Sequence, residues 1–471
     1  MSKHLVVIGA GPAGYAAAFR AADKGMTVTL IDREVNPGGV CLYRGCIPSK
    51  ALLHVAKLIE ESKESHEWGV TFQAPEIDID KLRAYKDKVV HKLTSGTGSL
   101  AKGRKINYLQ GTATFVNSNT LEVALTAGGT ETVVADNVII ATGSRPIQIP
   151  IFDIGSDRVM DSTGALDLPD IPERLLCVGG GYIGLELATV YASLGSKVTV
   201  VEMLPKLMAG ADPDLAKPLL KRLKTILHET KLETAVTKLE KDGETIIVTF
   251  KDKEGNETQE VFDRVLVSIG RRPNSEGFGL ENTKVNITDR GFIETDNQCR
   301  TADPVILAVG DVAGDPMLAH KGSHEAHVAV EVVAGEKVEF APRAIPAVVF
   351  TDPEVAWCGV TEEEAKAEGI PYRAVSFPWA ASGRATAMDR NDGVTKLIVD
   401  PESQRVIGVG IAGAGAGELI GEGALAAEVG ASVEDLALTI HAHPTMTETV
   451  MEAAELFLGH CDHYFVPKRK K

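Results

Sequence analysis

The sequence predicts an α/β chain built from two nucleotide-binding βαβ units and a C-terminal α+β domain. Three observations predict it. The apolar run Leu5 to Ile8 leads straight into Gly9-Ala10-Gly11-Pro12-Ala13-Gly14. The same pattern returns as Leu175 to Val178 followed by Gly179-Gly180-Gly181-Tyr182-Ile183-Gly184. From Ile345 onward the character changes to short strand-like runs and a small-residue helix near Gly417 to Val429.

In the first unit a small-residue helix is expected from Tyr15 to about Lys24, then a strand from Thr27 to Ile31 ending at Asp32. This is the G-x-G-x-x-G fingerprint of a Rossmann-like dinucleotide site. The first glycine makes the turn, the second lets backbone approach a pyrophosphate, and the third packs helix on strand. The helix N-terminus then offers N–H groups to the phosphates, and the acid at the strand end can hold ribose hydroxyls. Gly9, Gly11, Gly14 and Asp32 map onto Gly179, Gly181, Gly184 and Glu202 with one constant offset of 170. A single such loop is weak evidence, but two in register with their strands, helices and acids are strong.

Ser49 to Glu61 reads as an amphipathic helix with Leu52, Val55, Ala56 and Ile59 on one face, and Asp80 to about Leu100 as a second. The runs Val138–Gly143 and Val265–Gly270 read as buried strands ending in glycine. Each follows a polar, alternating β region, 106–134 for the first and 245–260 for the second. A third run, Val305 to Gly310, ends on Asp311, and a hairpin is expected around Asp400-Pro401-Glu402-Ser403.

A chain of 471 residues suits about three domains rather than one core. Its 49 basic and 65 acidic residues leave a net charge of −16, which disfavours nucleic acid and anionic membranes as partners. The one basic run, Lys468-Arg469-Lys470-Lys471, reads as a solvated end. No stretch approaches the ~20 apolar residues of a membrane span. Met1-Ser2-Lys3 passes directly into the first strand, leaving no room for a signal peptide, so a cytoplasmic protein is expected. In that compartment six cysteines do not form a structural disulfide framework.

Two of the six stand out. Cys41 and Cys46 enclose Leu42-Tyr43-Arg44-Gly45 and are followed by Ile47-Pro48-Ser49-Lys50. Five steps along a helix rise about 7.5 Å, beyond the ~4.4–6.8 Å between Cα atoms that a disulfide needs. The chain must therefore bend at one cysteine, which Gly45 permits. Zinc would need further ligands, and only His54 lies near. Two buried packing thiols are the bland alternative. A redox-active pair is preferred, because a nucleotide loop lies beside it and Arg44 and Lys50 favour thiolate. Cys177, Cys299, Cys358 and Cys461 are isolated and read as packing or incidental. Downstream, His443 is followed five residues on by Glu448, a pairing that would fix an imidazole tautomer and raise its basicity, although spacing alone is a weak signal.

The order and spacing of these motifs resemble the flavin-dependent pyridine nucleotide–disulfide oxidoreductases, and within them the dihydrolipoamide dehydrogenase (E3) branch of 2-oxoacid dehydrogenase complexes. The resemblance covers nearly the whole chain. It includes the opening fingerprint, the C-x-x-x-x-C-I-P-S-K run, both strand–glycine runs, Gly310-Asp311, Met317-Leu318-Ala319-His320, Phe377 to Arg384 and the C-terminal H-A-H-P-T.

The resemblance implies non-covalent FAD, one per subunit, held by Gly9, Gly11, Gly14, Asp32, Gly39, Lys50, Ala113, Gly143, Asp311 and Ala319. It implies NAD at Gly179, Gly181, Gly184, Glu202, Val236 and Gly270. Cys41 would exchange with substrate sulfur and Cys46 would face the flavin. Lys50 would pair with Glu186, and His443, supported by Glu448, would act as base on the other subunit's cysteines. The implied boundaries are a FAD domain over 1–147, an NAD domain over 148–272, a central segment over 273–344 and a dimerisation domain over 345–471. The implied partners are a second copy, an E2 acyltransferase and its lipoyl domains; no metal is implied.

An acid at Glu202 would repel a 2′-phosphate, which favours NAD over the NADP of glutathione-type reductases. Mercuric reductases carry a further C-terminal thiol pair that this chain lacks, and a flavin transhydrogenase would lack the Cys41–Cys46 pair. A redox-inactive scaffold is the alternative from another class, and the intact Cys41–Cys46–His443 set argues against it. Two departures from the family pattern stand out. Tyr43-Arg44 replaces the usual Asn-Val, and Arg44 is expected to lower a cysteine pKa and shift the disulfide potential. Asp32 replaces Glu, so its ribose contact is expected to be longer or water-bridged.

Overall fold

The computed structural model describes residues 2–465; the basic tail at 468–471 lies outside them. The first sheet has seven strands. Five are parallel, in the order Ile306–Ala308, Asn137–Ile140, His4–Ile8, Thr27–Asp32 and Asn107–Asn117. The last of these continues into an antiparallel meander with Thr120–Leu125 and Thr130–Val134. The central strands His4–Ile8 and Asn137–Ile140 read as near-continuous Val/Ile/Leu runs because both faces are covered, as parallel sheets require. The helices Pro12–Asp23 and Ala319–Ala334 pack together on one face, meeting through small residues such as Ala17, Ala18, Ala326 and Ala329.

The second sheet has five parallel strands: Glu229–Lys231, Lys197–Val201, Arg174–Val178, Arg264–Val267 and Val159–Met160. A separate three-stranded antiparallel sheet, Ala235–Asp242, Thr245–Lys251 and Glu257–Phe262, covers it. Its first strand, Ala235–Asp242, lies outside the sequence expectations, being largely polar with only Leu239 buried. Two short antiparallel segments, Ser144–Pro146 and Arg271–Pro273, carry the chain out of the first unit and back. That return is what puts Ile306–Ala308 on the edge of the first sheet.

The C-terminal domain is a five-stranded antiparallel sheet, ordered Ala347–Val349, Glu354–Gly359, Val406–Gly413, Val394–Val399 and Arg373–Pro378. The expected hairpin joins Val394–Val399 to Val406–Gly413. The helix Ala416–Val429 lies close on the sheet, since a Cβ at Gly423 would sit 2.8 Å from the Val409 side chain.

Residues 39–64 form two helices, Gly39–Arg44 and Cys46–Glu64, broken at Gly45 (φ −143°, ψ −114°). The bend that the cysteine spacing requires therefore falls on the glycine between the two cysteines. The helix predicted over Ser49–Glu61 is the body of the second piece. The helix predicted over Asp80–Leu100 runs Ile79–Gly103, N-capped by Asp78, whose carboxylate accepts the Lys81 N–H at 3.0 Å.

Candidate active site

Both glycine loops are built alike. Gly9 N–H donates to the Ile31 carbonyl at 2.8 Å, and Gly179 N–H to the Val201 carbonyl at 2.9 Å. The acids at the strand ends also act alike. Asp32 accepts the Ala10 N–H at 2.6 Å and the Glu34 N–H at 2.9 Å. Glu202 accepts the Gly180 N–H at 2.7 Å and the Leu204 N–H at 2.8 Å. Each acid thus braces its own loop. Burial pushes the Asp32 carboxyl up, against the hydrogen bond from Ala10.

The glycines divide by role. A Cβ on Gly14 would fall 1.7 Å from the Gly9 carbonyl oxygen, and one on Gly184 2.3 Å from that of Gly179, so these two set helix against strand. A Cβ on Gly11 would meet only the Gly39 Cα at 3.9 Å, and one on Gly181 would meet no heavy atom within 4 Å. The second glycine of each loop therefore bares backbone to a ligand. At Gly39 (φ +56°) a Cβ would lie 2.4 Å from the Gly11 Cα, so the helix Gly39–Arg44 starts against the first glycine loop. This cradle fits the diphosphate of a dinucleotide.

From Gly9, Asp32 and Gly39 a cleft of about 760 Å³ runs past Ala113 and Gly143 to Asp311 and Ala319. Its far end is lined by Cys41, Cys46, Lys50 and Glu186. Asp311 accepts the Ser144 hydroxyl at 2.5 Å, and Arg271 Nε donates to that hydroxyl at 2.8 Å. Of the residues named from sequence for the second nucleotide, Gly179, Gly181, Gly184 and Glu202 gather at one loop. Gly270 (φ +122°) lies just beyond the strand Arg264–Val267, whereas Val236 sits in the antiparallel cover, paired with Phe250.

Cys41 is half-buried and Cys46 is exposed in the cleft. A hydrogen bond from the Cys41 thiol favours the thiolate form of Cys46. It lowers Cys46 to about 7, opposed by burial and aided by the Lys50 charge. The same bond pushes Cys41 far up. Lys50 is held by Glu186 (Nζ to Oε2 2.8 Å, to Oε1 3.0 Å) and lies 4.4 Å from the Phe350 ring centroid. Glu186, buried on the helix Tyr182–Leu194, also accepts the Ser49 hydroxyl and the Phe350 N–H, each at 3.0 Å. Ser49, part of the C-I-P-S-K run, had no role assigned from sequence, and Phe350 carried no signal there; both matter because a buried carboxylate must be paired and hydrogen-bonded.

Arg44 is a correction. Its guanidinium is ion-paired with Glu34, and the cation acting on both sulfurs is Lys50. The remaining four cysteines fit the packing reading. Cys177, Cys299 and Cys358 are buried, and burial pushes their thiols up to about 12; burial and the Glu452 carboxylate push Cys461 to about 11.

His443 Nδ1 bonds Glu448 Oε1 at 2.8 Å, and the other Glu448 oxygen accepts the Thr445 N–H at 2.7 Å. Burial raises the Glu448 carboxyl, but these two hydrogen bonds outweigh it and hold it low. The pair does not line the cleft of its own chain. It stands beside exposed apolar residues, among them Leu438 and the 96% exposed Ile440, on the C-terminal domain.

Residues 3–326 match the family model of pyridine nucleotide-disulphide oxidoreductases, and residues 345–454 match the dimerisation domain of those proteins. The chain is 52% identical to dihydrolipoyl dehydrogenase of Vibrio cholerae over 98% of its own length and 97% of that protein. It is 46% identical to the Geobacillus stearothermophilus protein of the same name, over 98% and 97% of the two lengths. Among solved structures it resembles LpdA from Mycobacterium tuberculosis (TM-score 0.90, 26% identity, 97% and 99% of the two chains). It also resembles the HOCl-induced flavoprotein disulfide reductase RclA from Escherichia coli (TM-score 0.85, 28% identity, 96% and 99%).

Proposed function

The chain belongs to the pyridine nucleotide–disulphide oxidoreductase family, and from that membership we propose that it works as a dihydrolipoyl dehydrogenase. It reoxidises dihydrolipoyl groups through a Cys41–Cys46 disulfide and FAD, and reduces NAD⁺ to NADH. The observation that carries the reading is the Cys41–Cys46 pair at the end of a dinucleotide cleft, beside a lysine held by a buried carboxylate.

Gly9, Gly11, Gly14, Gly39 and Asp32 would hold the adenosine diphosphate of FAD. Ala113, Gly143, Asp311, Ala319 and Lys50 would hold the rest of it. Gly179, Gly181, Gly184, Glu202, Val236 and Gly270 would hold NAD. Bound FAD supplies the two-electron relay between the dithiol and NAD⁺. What the protein's own groups do is thiol–disulfide exchange.

The chain acts as a homodimer through its dimerisation domain, and His443 of the partner subunit is the base. Its Nδ1–H is committed to Glu448, which leaves Nε2 as the proton acceptor. A dihydrolipoyl thiol gives its proton to that nitrogen, and the thiolate attacks Cys41 Sγ. A sulfur–sulfur bond forms as the Cys41–Cys46 bond breaks, and Cys46 leaves as thiolate, stabilised by Lys50. The second dihydrolipoyl sulfur then attacks the first, the mixed disulfide to Cys41 breaks, and the proton of that second thiol passes to Cys41 as it leaves, while His443 keeps the first proton. Lipoyl disulfide is released and the electron pair stays on the cysteines.

No helix among the described residues is long and apolar enough to cross a membrane, and the protein is proposed to act in the cytoplasm. The dihydrolipoyl arms would be carried by an E2 acyltransferase. The test is the purified protein, checked first for flavin colour, then given dihydrolipoamide with NAD⁺ or NADP⁺. Rapid NADH formation is expected. A colourless protein, or faster turnover with another dithiol, would overturn the reading.

A further inference from the structure

We propose that Arg44 is a ligand for the diphosphate of the flavin cofactor, held ready by Glu34. The proposal rests on the FAD reading above and adds to it a residue pair that the glycine fingerprint does not contain. Arg44 and Glu34 both line the cleft at its adenosine end, with Gly11, Gly39 and Asp32. That is the stretch where bare backbone is open to a diphosphate.

The pair joins two separate pieces of chain, and each end is braced. On one side the Glu34 N–H donates to Asp32 at 2.9 Å, and the Glu34 carbonyl accepts the Tyr108 hydroxyl at 2.9 Å. On the other side Arg44 lies against the Tyr43 ring, 5.9 Å from its centroid. The Tyr43 hydroxyl donates to the Asn36 carbonyl at 3.1 Å and accepts the Asn36 N–H at 3.3 Å. The guanidinium is thus positioned before any ligand arrives, which lowers the ordering cost of binding one.

The charges call for such a residue. Asp32 and Glu34 put two carboxylates at the end of the cleft that must receive an anion. Only Arg33 and Arg44 among the residues lining that end are cationic; Arg33 is exposed, whereas Arg44 is ion-paired to Glu34 inside the cleft. A guanidinium has five N–H donors in a planar fork, and Glu34 engages one nitrogen. The remaining donors can bind phosphate oxygen while the ion pair persists, the geometry in which arginine outperforms lysine.

The experiment measures FAD release from holoenzyme on dilution, by recovery of free-flavin fluorescence. Arg44→Gln is expected to release FAD roughly ten- to hundredfold faster than wild type, the scale of one lost charge-assisted hydrogen bond. Arg44→Lys, which keeps charge and stem, should fall between the two and guards against a folding defect. Glu34→Gln, which removes the brace but leaves the guanidinium, is expected to release FAD at a rate between wild type and Arg44→Gln. The Arg44→Gln/Glu34→Gln double variant should still release it fast. If the double variant recovers the wild-type rate, Arg44 serves only to neutralise Glu34, and the assignment fails. It fails equally if Arg44→Gln releases FAD at the wild-type rate. A wild-type protein purified without FAD would instead overturn the functional reading itself.

Discussion

Replacing Cys41 separates the groups that make Cys46 reactive. The hydrogen bond from the Cys41 thiol is the largest influence lowering Cys46 to about 7, ahead of the charge of Lys50, and burial works against both. Serine at position 41 keeps a donor in that place; alanine removes it. In either variant Cys46 is the one low-pKa thiol left, because Cys177, Cys299 and Cys358 are buried and Cys461 is held near 11. In Cys41→Ser about half of Cys46 should be thiolate at pH 7. In Cys41→Ala the midpoint should return to 9 or above, leaving about 1% thiolate at pH 7. Iodoacetamide alkylation of Cys46, followed by mass spectrometry across pH 5–10, should then differ on the order of fiftyfold at pH 7. Equal alkylation midpoints in the two variants would refute the hydrogen-bond account and leave Lys50 as the sole cause.

Lys396 is 1% exposed and bridges Asp212, Asp214 and Glu362 between the second unit and the C-terminal domain. Lys396→Met should cost about 3–5 kcal/mol in urea unfolding at pH 7, since it strands buried carboxylate; a loss below about 1 kcal/mol would contradict this. Asp212 and Glu362 are held low despite burial, by the hydrogen bonds they accept, so their share is present above ordinary carboxyl pKa values and is lost as pH falls through the lowered ones. Wild type and variant should therefore converge in acid. His443→Gln should lower dihydrolipoamide-driven kcat by about 10²–10⁴-fold, the usual worth of a general base; a kcat within threefold of wild type, or about as little, would remove His443 from the proton path. In Gly184→Ala a Cβ would fall 2.3 Å from the Gly179 carbonyl, so the second loop must distort. That variant should keep its flavin colour and lose NAD⁺ saturation; an unchanged KM for NAD⁺ would place the nucleotide elsewhere.

What the amino-acid order determines by itself is local. Glycine spacing sets both nucleotide loops, because only glycine allows the turn at Gly9 (φ +94°) and the close packing at Gly14. Apolar periodicity is enough for the parallel strands and for the helix behind Cys46. The break at Gly45 follows from the reach of a disulfide. Electrostatics around the sulfurs is different. Lys50 meets Glu186 across 136 residues, Ser49 meets it across 137, and the Phe350 N–H reaches it across 164. Arg44 stands closer in sequence to both cysteines than Glu186 does, yet its charge goes to Glu34. A charge acts according to distance and burial in space, and neither can be read from spacing along the chain. Only tertiary structure decided which cation faces the thiolate, and it kept His443 and Glu448 away from the cleft of their own chain.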